Sequence, residues 1–291
     1  METYKRNRKE KLDDLYFEFI NKLRYIKFLY ERSFKGMHKQ LCKNIELKDI
    51  HKEKKCFVIG NGPSTLNQDL SVLKDEVVFM VNRAFLDPRY EIIQPRYHVI
   101  IDPKLSTGEW PLTFLDEIVK KNPKVILLLN SCWYDLDIFQ SYKEKYKIYW
   151  LDGSLTITPF FFNKKIDLTT RTFSNAVVEY GISSAIYMGC REINFLGVDG
   201  NSLCYSLLGR DDSHSYGHNP EDLSMNFQTV VRSLTSMSNS LRKWFHLFEY
   251  SKKNSIVLNN LTHGGILKIN QLNYNNYVKK HINNNENCSH Y

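Results

Sequence analysis

An α/β fold built on a mainly parallel sheet is what this sequence predicts, and three features predict it. Seven short runs are apolar almost throughout, as strands buried on both faces must be, and they lack the polar/apolar alternation of a half-exposed strand. Segments with helical spacing lie between several of these runs, and strand–helix alternation is the signature of a parallel sheet covered by helices. A glycine-bearing turn, Gly60–Asn61–Gly62–Pro63, follows the first run directly, as a sheet of this class requires where a strand gives way to a ligand-facing loop.

Taken in order, residues 8–43 read as one long helix. Leu12, Tyr16, Phe19, Leu23, Ile26 and Tyr30 recur in alternating steps of four and three, and Phe17, Ile20, Phe28 and Leu29 widen the stripe. Three uses fit such a helix: packing on the body or on a second subunit, lying on a membrane surface by virtue of Lys11, Lys22, Arg24, Lys27 and Lys35, and binding nucleic acid. Packing is the expected use, and nucleic acid is not expected because the rest of the chain has no basic face. The strand runs are residues 55–60, 77–82, 97–102, 124–130, 147–152, 192–199 and 255–260. Helices are expected at about 111–122, 174–188 and 223–250, the last with Phe227, Val231, Leu234, Leu241, Phe245 and Phe248 on a core-facing stripe. Residues 201–222 are polar and His-rich, and a loop that long in a compact domain reads as a lid. Residues 270–291 hold eight Asn and read as a weakly ordered tail. The organisation is therefore a basic N-terminal helical segment (1–50), a catalytic domain (54–269) and an Asn-rich tail (270–291).

The composition of the 291 residues, 42% hydrophobic and 25% charged, excludes a largely disordered chain, a collagen-like repeat and a disulfide scaffold. Of the net charge of +8, residues 1–55 carry +7, with 16 Lys/Arg against 9 Asp/Glu. The basic character thus belongs to the N-terminal segment, which suits an anionic surface. Six cysteines at 42, 56, 132, 190, 204 and 288 form no CxxC pair, and no signal peptide or spanning apolar run is visible. Free thiols in a cytoplasmic protein, peripheral on the inner face of the cell membrane if the basic helix binds there, are the expectation.

The residues able to do chemistry cluster at the ends of strands. Gly60, Asn61, Gly62 and Ser64 form a turn whose N–H groups can hold a phosphate. Asn82 and Asp102 end the second and third strands, and neutral amides there suit a nucleobase or a sugar. Asp199 ends the sixth strand in a Gly-Val-Asp sequence, with a turn cap as its plain alternative role. Thr262, Gly264 and Gly265 follow the last strand, where a plain turn is equally in keeping with the residues. His214 and His218 lie in the expected lid, and imidazole is the side chain suited to take a proton near neutral pH. Their spacing is also that of a metal pair, and Asp135–Leu136–Asp137 is a DxD sequence, but neither context favours a metal site.

In order and rough spacing over residues 54–265, GNGPS after a strand, an Asn at the second strand end, "GCREI", "GVD" and "SHSYGH" resemble glycosyltransferase family 42, the bacterial sialyltransferases. Asp102–Pro103 and Thr262–Gly265 also resemble the wider DUF115-related group, which includes flagellin-modifying and pterin-diphosphokinase-like proteins. The resemblance implies a Rossmann-like domain of GT-A-variant type with a lid. It implies metal-independent, inverting transfer of a nonulosonic-type acidic sugar (sialic, pseudaminic, legionaminic or Kdo) from a CMP-activated donor, with no further cofactor. The acceptor would be a surface glycan or its lipid-linked precursor, and a homo-oligomer is expected. By position, Asn61 would contact the CMP phosphate or ribose, Asn82 and Asp102 the cytidine and sugar, and His218 would be the general base. Arg171 and Tyr205 would steady the leaving phosphate. Asp102 stands where the sialyltransferases carry Asn. Two other readings remain: an ATP- and Mg²⁺-dependent diphosphokinase with Asp102 and Asp199 on the metal, and a non-catalytic nucleotide-binding scaffold.

Overall fold

The computed structural model describes residues 5–174, 176–218 and 226–281. The chain runs α1 (Arg8–Phe34), β1 (Lys55–Ile59), β2 (Val77–Val81), α2 (Tyr90–Ile93), β3 (Tyr97–Ile100), α3 (Lys104–Thr107), α4 (Thr113–Lys121), β4 (Ile126–Asn130), α5 (Gln140–Lys145), β5 (Ile148–Leu151), α6 (Val177–Tyr187), β6 (Glu192–Leu196), α7 (Ser202–Leu207), α8 (Phe227–Lys253), β7 (Val257–Asn260) and α9 (Tyr274–His281). All seven expected strands form. They make one sheet in the order β5-β4-β3-β2-β1-β6-β7, and every neighbouring pair is parallel. The Rossmann-like, doubly covered sheet predicted from the apolar runs is therefore what folds.

Because successive strand residues point to opposite faces, each run feeds two cores. Cys56, Val58, Phe79 and Val81 face α6 and α8, where Trp244 and Phe248 pack on Phe195. Phe57, Ile59, Val78 and Met80 face the other way, with Leu115 and Ile118 of α4 and Tyr277 of α9 in the same cluster. Both exposed edges of the sheet are covered. A 3-10 segment at Lys39–Leu47 lies along β5, and its buried Asn44 donates to the Trp150 and Leu168 carbonyls. At the opposite edge, the Asn260 N–H donates to the Asn270 carbonyl and the Leu272 N–H to the Asn260 carbonyl. Covering the edges satisfies backbone groups that would otherwise template aggregation.

Several expectations change. The N-terminal helix ends at Phe34, where Gly36 takes a left-handed conformation, instead of running to residue 43. Its apolar stripe does not pack on the body; the polar face does. Along α8 the expected core stripe holds only toward the C-terminal end: Phe227, Val231 and Leu234 are exposed, and the buried residues of the helix begin at Trp244. The tail is structured as far as His281, since Tyr274, Tyr277 and Val278 give α9 an apolar face that the core buries. Part of the expected lid, residues 202–207, is the helix α7, while residues 219–222 of it and residues 282–291 of the tail lie outside the described residues.

Candidate functional site

Strand order reverses direction of travel between β1 and β6, and it is beyond the carboxyl ends of strands at such a switch point that α/β sheets bind ligands. The two loops that leave β1 and β6 are locked together there, backbone to backbone. The Gly60 N–H donates to the Leu196 carbonyl at 2.8 Å and the Gly62 N–H to the Gly197 carbonyl at 2.9 Å. A Cβ on Gly60 would sit 2.4 Å from the Gly197 carbonyl oxygen, and one on Gly197, at φ +68°, would sit 2.4 Å from the Gly60 oxygen. Glycine is demanded at both places by this approach.

Asp199 completes the lock. Its Oδ2 accepts from the Ser64 N–H at 2.9 Å, so the carboxylate caps the turn that begins at Pro63. The N–H groups of Gly60, Gly62 and Ser64, which the sequence offers to a phosphate, are thus bonded within the protein, one of them to a carboxylate. Asp199 is 4% exposed, and its Oδ1 is buried with no protein partner. Asn82 Oδ1 and Ser64 Oγ are in the same state among the described residues.

The crevice over these loops has a volume of about 230 Å³. Gly60, Asn61, Gly62, Asn82 and Asp199 line it, joined by Val177 and Val178 at the N-terminus of α6 and by Ser213 and His214 from the lid. No Lys or Arg is among the described residues lining it. It shares Val178, Val198, Gly200 and Ser202 with a neighbouring pocket of about 410 Å³, whose far wall is Ser233, Ser236, Met237, Ser240 and Trp244 of α8.

Asn61 ties three parts of the site together. Its Nδ2 donates to the Val81 carbonyl at the end of β2, and its own carbonyl accepts from the Ser215 N–H at 2.7 Å, which pins the lid. Arg83 lies over the Tyr216 ring at 5.2 Å and over Trp110 at 5.7 Å, and His214 stacks on Tyr216. Asp87 bonds Arg89, whose guanidinium reaches the Thr65 and Gln68 carbonyls and so holds the turn after the glycine loop from behind. Burial would push the Asp87 carboxyl up, but Arg89 and the Ser215 hydroxyl outweigh it and hold it below the usual value.

Asn82 sits at φ +47°, a left-handed conformation that Asn tolerates better than most residues. His98 holds it there. This imidazole is wholly buried, and its Nε2 lies 2.7 Å from the Asn82 carbonyl, an acceptor only, so Nε2 carries the proton. Nδ1 then accepts from the Tyr90 hydroxyl at 3.0 Å. Burial drives the His98 pKa down to about 4, so the ring is neutral in this role. Sequence reading missed His98, although a histidine inside the apolar run YHVIID was the available signal.

The other expected site residues are placed elsewhere. His218 is not in the crevice lining; its exposed side chain pairs through Nδ1 with Asp211. Arg171 is a clamp on α1: Nε bonds Asp152 at 2.9 Å, one Nη donates to the Arg24 carbonyl, and the cation lies over the Phe28 ring. With those partners it does not reach the crevice. Tyr205 is half-buried on α7 beneath the Arg210 guanidinium and outside the lining. Asp102 caps its own turn through the Lys104 N–H, two strands away from β1. Thr262 is buried, and its hydroxyl accepts from the Val198 N–H. Gly265 backs directly onto Asp199, whose carbonyl accepts from the Ile266 N–H. Thr262, Gly264 and Gly265 thus form a turn that buttresses the Asp199 loop from behind and adds no wall to the crevice. Among the described residues no cluster of three or more metal-ligating side chains exists, and Asp135 and Asp137 belong to none.

Two solved structures resemble the chain distantly. The Campylobacter jejuni sialyltransferase CstII in complex with cytidine-5'-monophosphate is 17% identical and aligns over 76% of this chain and 88% of its own, with a TM-score of 0.42. An apo alpha-2,3-sialyltransferase from the same organism is 15% identical over 77% of this chain and 82% of its own, with a TM-score of 0.39. No curated protein matches the chain. The model of one family, described as 6-hydroxymethylpterin diphosphokinase MptE-like, matches residues 32–206. That stretch runs from the end of α1 through the loops after β1, β2 and β6 as far as α7 and is more than half of the sequence, so this chain belongs to the MptE-like family.

Proposed function

We propose that the crevice binds a nucleotide-activated sugar and that the protein is an inverting glycosyltransferase using a CMP-linked, nonulosonic-type acidic sugar. The observation that carries this reading is the meeting of Asn61, Asn82 and Asp199 in one crevice whose described lining holds no Lys or Arg, with Asn82 Oδ1 and Asp199 Oδ1 buried and without a partner. Buried acceptors without partners cost free energy until a donor arrives. A cytidine exocyclic amine and a ribose hydroxyl are such donors. The two charges of a CMP-linked acidic sugar, one on the phosphodiester and one on the sugar carboxylate, are half the four of a nucleoside triphosphate, and the N-terminus of α6 favours an anion. The adjoining pocket with its three α8 serines has the room and the hydroxyls for a sugar.

In the proposed step the acceptor hydroxyl oxygen attacks the anomeric carbon, the bond from that carbon to the CMP phosphate oxygen breaks, and CMP leaves as a phosphate monoester. The acceptor proton goes to a base on the side away from the phosphate. We assign that base to His218, whose Nδ1 is held by Asp211 and whose Nε2 is left for the acceptor, at the outer part of the lid. His214, on the crevice wall beside Ser213, is assigned to the donor. The acceptor is a growing surface glycan or its lipid-linked precursor.

Calorimetric titration with CMP, UMP, GMP and ATP, each with and without Mg²⁺, tests the reading. CMP binding indifferent to Mg²⁺ is the expected result. The His218→Ala variant is then expected to keep CMP affinity and lose about 10²–10⁴ in transfer rate, while His214→Ala weakens CMP itself. Full transfer by His218→Ala ends its assignment as base.

A second reading, diphosphoryl transfer from ATP, is favoured by membership of the MptE-like family. The residues fit Mg²⁺ sparingly: Asp199 offers one free oxygen, its other being spent on Ser64, and the nucleotide's own phosphates would complete the coordination. ATP binding that requires Mg²⁺, with CMP silent, establishes this reading in place of the first. Nucleotide binding with no transfer or hydrolysis of any donor leaves the non-catalytic nucleotide-binding scaffold.

A further inference from the structure

The helix α1 is mounted with its polar side inward. Asp14 meets His246 at 3.0 Å, Glu18 accepts from the Thr158 hydroxyl, and Asn21 both donates to and accepts from the Thr156 backbone. Asp13 pairs with Arg242, and Arg32 donates to the Thr169 carbonyl. Phe28 is the one apolar side chain of the helix that is buried. Leu12, Tyr16, Phe19, Leu23, Ile26 and Tyr30, which carry the stripe, are each 48–62% exposed. An amphipathic helix ordinarily buries its apolar face on the core; this one holds that face out along about 40 Å of length.

The charges are sorted the same way. All five acids of α1 (Glu10, Asp13, Asp14, Glu18 and Glu31) are buried or half-buried against the body or at the N-terminal cap. Beside the apolar stripe, the exposed charges are cationic: Lys9 and Lys27 along one margin, Lys11 and Lys22 along the other. Lys27 has Glu31 at 3.6 Å, but two copies of this face brought together would still oppose lysine to lysine. An anionic lipid surface meets both demands, taking the apolar stripe into the acyl boundary and the lysines at the headgroups.

We propose that α1 is an interfacial helix that seats the protein on an anionic phospholipid surface, with Phe19, Leu23 and Ile26 at the centre of the inserted stripe. The helix is held in readiness by its polar bonds to the body, so binding needs no refolding. This goes beyond the reading of the crevice and stands whether or not that reading does.

The test is flotation of the full chain with phosphatidylcholine vesicles and with vesicles of phosphatidylcholine and phosphatidylglycerol. Wild type is expected to float with the anionic vesicles only. Phe19→Ser/Ile26→Ser is expected to stay at the bottom, with an unchanged melting temperature since both side chains are exposed. Lys11→Gln/Lys22→Gln, which leaves the stripe intact, is expected to bind more weakly by about fivefold per lysine. Wild type remaining at the bottom with anionic vesicles overturns the proposal, as does flotation that neither variant alters. A dimer by light scattering that Phe19→Ser/Ile26→Ser dissolves, with no flotation, gives the face to a second copy and also overturns it.

Discussion

The crevice between β1 and β6 is closed by backbone pressed on backbone, whereas α1 is held to the same body by side chains alone. In the crevice, Gly60 and Gly197 approach so closely that neither tolerates a single added carbon, and Asp199 bonds a main-chain N–H. Under α1, Asp14, Glu18, Asn21 and Arg32 each reach out individually, with Phe28 the lone buried apolar contact of the helix. A seam made of backbone is stiff and intolerant, and suits a site whose geometry must not move. A seam made of separate polar contacts loses one contact at a time.

Gly197→Ala is the change expected to do most damage. Its methyl would meet the Gly60 carbonyl at 2.4 Å, and the residue's φ of +68° adds strain, so we expect a loss of about 3 kcal/mol together with the crevice geometry. Denaturant unfolding reads the stability and calorimetry the ligand site. Survival of nucleotide binding in this variant would break the comparison from the crevice side.

Acid is expected to come next. His98 is wholly buried, and its pKa is lowered by that burial to about 4, against about 6.5 in the unfolded chain. Burial, aided by the charges of Arg96 and Lys54, lowers His51 to about 4 as well. Between those two values the unfolded chain binds more protons than the folded one, so stability is complete above pH about 6.5 and falls as pH drops toward 4. For His98 the loss over the whole window is roughly 3 kcal/mol. Urea unfolding across this window should show the slope, and His98→Gln, which keeps a donor for the Asn82 carbonyl, should flatten it.

Asp14→Ala removes the bonds to His246 and Arg6 and is expected to cost about 2 kcal/mol, with crevice binding unchanged. Burial acts to raise the Asp14 carboxyl, but the bonds from His246 and Arg6 prevail and hold it below the usual carboxylate value. Its contribution is therefore present at and above ordinary carboxylate pKa values and is lost only as pH falls through that lowered one. A fall in nucleotide affinity in Asp14→Ala would show that the two seams are coupled. At the small end, Phe19→Ser on the outer face of α1 is expected to move stability by no more than about 0.5 kcal/mol. A clear drop in melting temperature there would mean that the stripe is already covered.

Much of this architecture was open to reading from the residues, and the reason differs from one element to another. A doubly buried strand must be apolar throughout, so runs such as KVILLLN announced themselves. The glycine turn after β1 and the Gly-Val-Asp after β6 were equally plain, since backbone approach leaves glycine as its mark. Their mutual lock was not, because it joins residues more than 130 positions apart. Arg171 looked like a site residue and turned out to hold Asp152 and α1, as nothing local in sequence distinguishes an arginine that meets a phosphate from one that meets a carboxylate. Of the two lid histidines, the nearer one in sequence, His214, reached the crevice wall, while His218 took Asp211.

By itself the sequence determined the parallel sheet, the helical character of α1, α4, α6 and α8, and the glycines at the switch point, because each follows from local spacing or from the small size of one residue. Only the tertiary structure decided which face of α1 is buried. Periodicity defines two faces of a helix and is silent on what each will meet. The inward face here was chosen by Thr156, Thr158 and His246, polar partners placed by distant parts of the chain. The same holds for Asn82 Oδ1 and Asp199 Oδ1, whose lack of partners exists only once every other neighbour has taken its place.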